Sequence, residues 1–186
     1  MKTLPRKFYA RDTVLVAKDL LGKQLVRKIG QRIMTGIIIE TEAYRYKDDP
    51  ASHGYQGETK RNKAMFGQVG MAYVYFTYGM HYCMNVVAKS DDYEAGAVLI
   101  RALKPKRGTE LMKKNRKIGS ASNLTNGPAK LTQALQITKK QYGEDLTKIS
   151  SLFITNGNSI RSKIITRPRI GIKRATDKRW NFNLSS

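Results

Sequence analysis

Alternating apolar and polar positions over short segments predict several β-strands along this chain. Two hairpins are expected, one with arms at residues 23–29 and 32–44, and one with arms at 72–77 and 82–87. Each pair of arms flanks a short turn that contains glycine, which favours antiparallel pairing. Further strands are predicted at 96–103, 152–155, 164–166 and 169–173.

Helical patterns are shorter and fewer than strand patterns. Asp12 precedes an amphipathic run at 13–21 that ends before Gly22, so we predict an N-cap, a short helix and a glycine stop. Two more helices are predicted at 108–117 and 128–135. Because neither a repeat nor a linker interrupts the pattern, residues 1–186 are expected to form one mixed domain with largely antiparallel pairing.

One predicted strand carries two acids inside a β-branched run. Alternate residues of a strand point to opposite faces, so one face is expected to hold Glu40, Glu42 and Tyr44, and the other Ile37, Ile39 and Ala43. Carboxylates next to a core are costly unless they are paired, hydrogen-bonded or used in proton transfer. The two acids therefore mark a candidate site, with pairing to a basic side chain as the alternative.

Composition narrows the class of partner. The 186 residues include 35 Lys and Arg against 14 Asp and Glu, a net charge of +21. An excess of this size predicts binding to a polyanion, and nucleic acid is favoured because no long basic amphipathic helix suggests a membrane surface. The alternative is a halo of solvated basic side chains. No apolar stretch approaches the roughly 20 residues that span a bilayer, so no membrane association is expected.

Other features predict an intracellular protein of the cytoplasm or nucleoid. The basic segment 1–7 is not followed by the apolar run of a secretory signal. Cys83 is the only cysteine, so it cannot form an internal disulfide or belong to a Cys-x-x-Cys zinc motif. We expect it to be a small buried hydrophobic residue.

The region between residues 42 and 101 contains the side chains that a base-handling site requires. It includes a carboxylate, an imidazole, tyrosines, an amide and a guanidinium: Glu42, Tyr44, His53, Tyr75, Asn85 and Arg101. Glu42 could remove a proton from water, and the aromatic rings could stack on a purine. Each residue taken alone is as readily explained by packing or by a salt bridge.

The tip of the second predicted hairpin is a candidate DNA-contacting feature, distinct from the base-handling residues. An aromatic side chain on a glycine turn can enter the minor groove and fill the space of an extruded nucleotide. We predict that Tyr78 has this role and that Met80 and His81 pack against neighbouring nucleotides. The alternative is a plain surface turn.

A metal-dependent nuclease is a third interpretation of the acids. A divalent-metal cluster could be imagined from Glu40, Glu42, Asp48, Asp49 and His53. Their spacing matches no metal-binding signature, and the phosphate-loop and deaminase motifs are absent from the sequence. A metal-dependent nuclease is therefore the less favoured interpretation of these acids.

These residues stand in an order that resembles the alkyladenine (3-methyladenine) DNA glycosylase family. The similarity runs from about Lys7 to Trp180. Its most specific segments are Glu40-Thr41-Glu42-Ala43-Tyr44 with His53, Arg61-Asn62, Met65-Phe66, Tyr73-Val74-Tyr75, Tyr78-Gly79-Met80, Cys83-Met84-Asn85, Leu99-Ile100-Arg101-Ala102-Leu103 and Gly127-Pro128-Ala129-Lys130-Leu131.

The resemblance implies a fold and a reaction. The expected fold is α+β, a single mixed domain with a curved, mainly antiparallel β-sheet, a protruding β-hairpin and surrounding short helices. The expected substrate is double-stranded DNA that contains damaged purines, bound by a monomer without metal or organic cofactor. The expected activity is hydrolysis of the N-glycosidic bond, which leaves an abasic site. The alternatives are a non-catalytic nucleic-acid-binding module, a metal-dependent nuclease and a lyase that forms a Schiff base.

The resemblance also assigns roles to individual residues. Glu42 would activate water and Arg101 would hold that water. The base pocket would be lined by Tyr44, His53 and Tyr75, with Asn85 influencing selectivity, and the groove would be entered by Tyr78 with Met80 beside it.

Overall fold

The computed structural model of the chain describes residues 2–157 and 162–185. The strands in these residues are β1 (Gln24–Ile29), β2 (Arg32–Arg45), β3 (Ala72–Thr77), β4 (His81–Val87), β5 (Gly96–Arg107), β6 (Leu152–Thr155), β7 (Ile164–Arg167) and β8 (Asn181–Leu184). The α-helices are α1 (Arg6–Tyr9), α2 (Thr13–Asp19), α3 (Lys63–Phe66), α4 (Thr109–Arg116) and α5 (Pro128–Ala134). A 3₁₀ turn spans Lys139–Gln141.

The strands form one curled antiparallel sheet in the order β3-β4-β5-β2-β1-β6, with β7 and β8 off this path. The long strand β2 organises the sheet, because β5 follows one of its edges while β1 and then β8 pair along the other. Both predicted hairpins are present, as β1 with β2 and β3 with β4. The sequence prediction of an α+β fold with a mainly antiparallel sheet is confirmed.

Register shifts interrupt β2 where the acids begin. The pairing with β5 slips between Ile38 and Glu40 and again between Glu40 and Thr41. A bulge re-aims the side chains beside it, and Ile38 rather than Ile39 joins the buried core. The strict alternation predicted for the apolar face is therefore wrong at this point. Beyond the bulge the alternation resumes, and Ala43 is buried in the core.

Short helices cover one side of the sheet and complete the core. The predicted N-cap of α2 is confirmed, because Oδ1 of Asp12 accepts hydrogen bonds from the backbone N–H groups of Val14 at 2.9 Å and Leu15 at 3.1 Å. Val16 on this helix and Leu131 on α5 are completely buried. Burial of apolar side chains of this size contributes about 1.5–3 kcal/mol each.

One predicted strand is wrong. Residues 169–173 form a turn and an irregular segment instead, with Gly171 at a φ of +78°. The polar–apolar alternation of these residues does not reflect a strand with one buried face. The polar Arg169 is buried in an ion pair, and the apolar Ile170 is exposed. The pattern also missed α1, α3, the 3₁₀ turn and β8, which are short elements that depend on contacts with distant parts of the chain.

In the described parts of the chain, no helix has both the length and the apolar character that a membrane crossing requires.

Candidate active site

Glu42 lies on the half of β2 that is flanked by β5 and β8, and its side chain has no solvent exposure. Oε1 accepts hydrogen bonds from the backbone N–H of Ile170 at 2.7 Å and from Nδ2 of Asn181 at 3.0 Å. Oε2 accepts from the hydroxyl of Tyr44 at 2.8 Å and from Nη1 of Arg101 at 3.2 Å. A carboxylate has about four acceptor positions. In this arrangement all four are filled.

Glu40 belongs to the same network as Glu42. Its Oε1 accepts hydrogen bonds from Nε of Arg101 at 2.9 Å and from Nδ2 of Asn181 at 2.8 Å. Both donors also reach Glu42, so the predicted placement of the two acids on one face is confirmed. Burial opposes the charge of Arg101, but the two carboxylates outweigh it and raise the pKa of the guanidinium. The pairing of the two acids with a basic side chain, which the sequence offered as the alternative to a candidate site, is thus also present, with Arg101 as the partner.

A cavity of about 540 Å³ opens beside this network. Tyr44, Arg101 and Ile170, three of the four donors to Glu42, line it. Glu42 therefore lies directly behind the cavity wall. Burial, followed by the charge of Glu42, raises the pKa of Tyr44, so its hydroxyl stays a donor at neutral pH.

Aromatic rings form a second wall of the cavity. The ring of His53 meets Tyr75 edge-on with centroids 4.7 Å apart, and Tyr73 lies 5.4 Å from Tyr75 at a tilt of 35°. Nδ1 of His53 is 3.0 Å from the hydroxyl of Tyr73. Although His53 is exposed at the cavity mouth, desolvation by these neighbours and then the charge of Arg61 lower its pKa. A neutral imidazole is the result at neutral pH.

Asn85 and Cys83 line the cavity from β4. Nδ2 of Asn85 donates to the backbone carbonyl of Tyr73 at 3.0 Å, which fixes the amide against the aromatic wall. Cys83 is buried, as predicted, and burial raises the pKa of its thiol. The cavity lining is therefore polar at a few fixed points and apolar or aromatic between them.

The hairpin between β3 and β4 carries Tyr78 at the cavity rim. Its side chain is 85% exposed, and its φ of +52° lies in the left-handed region that side chains other than glycine and asparagine avoid. The cost of such a conformation is about 1 kcal/mol. Met80 is also exposed, but it lines a different cavity, on the side of α5. His53, Tyr75, Tyr78 and Asn85 all line the cavity beside Glu42, whereas Met80 does not.

Comparison with known proteins places the chain in a family. The profile described as methylpurine-DNA glycosylase (MPG) matches residues 7–186. The chain belongs to the methylpurine-DNA glycosylase family. It is accordingly a DNA glycosylase, a hydrolase of N-glycosyl bonds.

Individual relatives agree with the family assignment, and each carries the name "Putative 3-methyladenine DNA glycosylase". The protein of Carboxydothermus hydrogenoformans is 50% identical over 184 residues, which cover 98% of this chain and 95% of the relative. The protein of Prosthecochloris aestuarii is 46% identical, with 97% and 86% covered, and that of Desulfitobacterium hafniense is 43% identical, with 99% and 96% covered. The family expected from the sequence motifs is confirmed.

Two parts of this glycosylase site were not predicted from the sequence. The first is Asn181 of β8, which joins the two acids. The second is the segment that follows β7, which brings the Ile170 N–H to Glu42 and is held by a buried ion pair between Arg169 and Asp49. These residues lie more than 100 positions from their partners, so no local pattern connects them.

Cations of the glycosylase are also present at the cavity rim. Lys173 and Arg174 line its outer part, and the guanidinium of Arg61 lies 5.2 Å above the ring of Tyr75. A positive rim around an aromatic cavity is suited to a base whose neighbouring phosphates remain outside.

The acids considered as a metal cluster are engaged elsewhere. Asp49 pairs with Arg169 and Asp48 with Arg45, while Glu40 and Glu42 share Arg101. Residues 2–157 and 162–185 contain no group of three His, Cys, Asp or Glu side chains placed to hold a metal ion.

Proposed function

We propose that this methylpurine-DNA glycosylase flips alkylated or deaminated purines out of duplex DNA and hydrolyses the N-glycosidic bond with water activated by Glu42. The substrates proposed are 3-methyladenine, 7-methylguanine, hypoxanthine and ethenoadenine, and the product is an abasic site. The observation that carries the proposal is the position of Glu42 directly behind an aromatic cavity lined by three of its own hydrogen-bond donors.

The cavity has the size and lining that a purine requires. Its volume of about 540 Å³ lies within the usual range of small-molecule sites. Tyr44, His53 and Tyr75 would stack on the flipped base, and base–aromatic stacking contributes about 1–3 kcal/mol per base. Asn85, anchored on the Tyr73 carbonyl, is placed to limit which exocyclic groups fit.

Flipping requires something to occupy the vacated space in the duplex. Tyr78 is exposed at the cavity rim, at the tip of the hairpin between β3 and β4, so it is suited to enter the stack. Met80, on the other side of the same hairpin, would contact the neighbouring nucleotides rather than the flipped base. Flipping costs a few kcal/mol and least for weakened pairs, which supports preference for damaged bases.

In the proposed chemical step, the oxygen of water forms a bond to C1′ of the sugar while the C1′–N9 bond breaks. The purine leaves with the bonding electron pair, and Glu42 accepts the proton of water. A purine methylated at N3 or N7 is cationic before cleavage and departs neutral. The sugar passes through an oxocarbenium-like state, which the negative charge of Glu42 stabilises.

Water must first gain access to Glu42. Since all four acceptor positions are filled, water has to replace one of the donors. Arg101 is the most suitable, because its contact with Glu42 is the longest of the four and its Nε keeps a second anchor on Glu40. Arg101 would then remain in contact with the incoming water and orient it.

The direct test uses purified protein and duplexes with a single lesion. Wild-type protein is expected to release 3-methyladenine or hypoxanthine in the presence of chelator and to leave an alkali-labile abasic site. Glu42→Gln is expected to lose excision by a factor of at least 10² and to keep its affinity for DNA, because the amide cannot accept the proton. Glu110→Gln is the matched control, since Glu110 lies on α4 and is exposed.

Three outcomes would overturn the proposal. The first is full excision activity in Glu42→Gln. The second is binding to lesion DNA without base release, which would indicate a binding module. The third is strand scission that chelator abolishes, which would indicate a nuclease. Covalent trapping of DNA by borohydride would instead identify a Schiff-base lyase and replace the hydrolytic step.

A further inference from the structure

The ion pair between Arg169 and Asp49 is completely buried. Both side chains have no solvent exposure, and two parallel hydrogen bonds join them, from Nη1 to Oδ2 at 2.6 Å and from Nη2 to Oδ1 at 2.7 Å. Neither residue lines the cavity. The chemical step described above uses neither of them.

Such a pair needs an explanation beyond stability. Removing two charges from water opposes folding, and replacing such a pair by apolar side chains is often neutral or stabilising. What a bidentate guanidinium–carboxylate pair does supply is fixed geometry, because the planar fork accepts only one orientation. The neighbours of Arg169 show which parts of the site this fixed guanidinium holds in place.

The guanidinium of Arg169 lies against the residues that form the wall behind Glu42. Its centre is 4.7 Å from the ring centroid of Tyr44 and 5.3 Å from that of Trp180, and Nη1 also donates to the backbone carbonyl of Ala43 at 2.9 Å. The side chain is therefore fixed between two rings and the backbone of β2. Cation–π contacts are strongest in such a desolvated setting.

Two of the four donors to Glu42 depend directly on this guanidinium. Ile170 follows Arg169 in the chain and donates its N–H to Oε1 of Glu42 at 2.7 Å. Tyr44, whose ring lies against the guanidinium, donates its hydroxyl to Oε2 at 2.8 Å. The ion pair is thus connected to both oxygens of Glu42. Ile170, the next residue in the chain, connects it to Oε1, and the ring of Tyr44 connects it to Oε2.

We propose that Arg169 and Asp49 are positioning residues that orient the carboxylate of Glu42 through the Ile170 N–H and the Tyr44 hydroxyl. This inference rests on the proposed function of Glu42. Asp49 fixes Arg169 to the segment that follows β2. Its carboxylate also accepts hydrogen bonds from the backbone N–H groups of Arg45 and Ala51, both at 3.2 Å.

The informative variant is Arg169→Lys, which keeps a positive charge beside Asp49 but removes the planar fork and the stacking surface. The single-turnover excision rate is expected to fall at least tenfold, while the dissociation constant for the same lesion duplex changes less than twofold. Arg6→Lys is the matched control, because Arg6 pairs with Asp145 at 2.7 Å and lies outside the cavity lining. Its excision rate is expected to match that of wild type.

Coupling to Tyr44 separates positioning from general destabilisation. If Arg169 acts partly through Tyr44, the combined loss in Arg169→Lys/Tyr44→Phe should be at least threefold smaller than the product of the two single losses. A purely structural defect would multiply with the loss of the Tyr44 hydroxyl. A combined loss equal to the product of the two single losses would therefore overturn the inference.

A second readout needs no activity. In Arg169→Lys the backbone amide of Ile170 is expected to exchange its hydrogen with solvent at least tenfold faster, since the segment is released from Glu42. Unchanged exchange would overturn the positioning role. Unfolding of Arg169→Lys at 25 °C would also overturn it, because the pair would then serve stability. A wild-type protein without excision activity would refute the proposed function alone, since the exchange comparison would still decide the inference.

Discussion

Glu40 and Glu42 accept hydrogen bonds from the same guanidinium, that of Arg101, with Nε at 2.9 Å from Glu40 and Nη1 at 3.2 Å from Glu42. Asn181 bridges the same two carboxylates from the other side. Glu40 therefore contacts two of the four donors to Glu42, although it is absent from the cavity lining. Under the proposed mechanism Glu42 carries out the chemistry and Glu40 supports its hydrogen-bond donors.

This division predicts the effect of Glu40→Gln. The amide keeps the shape and one acceptor oxygen but weakens the anchor that keeps Arg101 in place when water replaces its contact with Glu42. Hydrogen bonds to charged groups contribute about 1.5–3 kcal/mol, so excision is expected to fall roughly tenfold, far less than in Glu42→Gln. Single-turnover kinetics on a hypoxanthine duplex would measure both. Equal losses in the two variants would contradict the division.

The positive φ of Tyr78 predicts that a substitution at this position can raise the melting temperature while lowering the excision rate. Asparagine tolerates positive φ better than tyrosine, so Tyr78→Asn should leave the melting temperature equal or higher. Excision from duplex DNA should nevertheless fall at least tenfold, because no ring enters the stack. Tyr78→Phe, which keeps the ring, is the control and should retain activity. Wild-type excision by the Asn variant would mean that Tyr78 does not insert.

His53 predicts a pH dependence of stability. Its pKa in the folded protein lies below the ordinary value of 6.5, first through desolvation and then through Arg61. The unfolded chain therefore binds a proton at higher pH than the folded protein does. Stability falls as the pH drops from about 6.5 through the folded pKa, where His53 must charge inside the aromatic wall.

The measurement for His53 is urea denaturation at pH 7 and pH 5. The loss of unfolding free energy on acidification is expected to be smaller in His53→Gln than in wild type. His81→Gln removes the other of the two histidines and serves as the control. An identical loss in wild type and His53→Gln would show that this imidazole is not responsible.

Local sequence patterns predicted the parts of the fold that local interactions determine. The cap at Asp12 and the hairpins around Gly30 and Gly79 depend on residues a few positions apart. Strand alternation predicted that Glu40, Glu42 and Tyr44 share a face, whereas the joint role of Glu42 and Arg101 was implied by the family resemblance. Shifts in the pairing of β2 with β5 disturb that alternation between Ile38 and Thr41, directly before Glu42.

The remainder of the site depends on distant contacts that no local pattern encodes. The polar–apolar alternation at residues 169–173 predicted a strand, yet Arg169 is drawn inward by Asp49, which is 120 positions away. Gly171 then turns the chain instead of extending it. The same holds for Asn181, whose role depends on the pairing of β8 with β2. Buried polar side chains of this kind become recognisable only when their partners are known.

The positive rim of the cavity predicts how DNA affinity responds to salt. Each protein cation that neutralises a phosphate of duplex DNA contributes about 0.9 to the slope of log affinity against log salt concentration. Lys173 and Arg174 line the outer part of the cavity and are exposed, so they are placed to contact the phosphates beside a flipped nucleotide. Replacing both with alanine is expected to reduce the slope by about 2.

The control for the rim is Lys148→Ala, which removes an equally exposed lysine that pairs with Asp145 outside the cavity. The slope of log affinity against log salt concentration should be the same for Lys148→Ala as for wild type, because Lys148 is not expected to contact a phosphate. Titrations of a lesion duplex with the Glu42→Gln background would avoid turnover during the measurement. If the rim variant and the control had the same slope, the binding charge would be distributed over the surface, and the entrance of the cavity would have no special part in holding the DNA backbone.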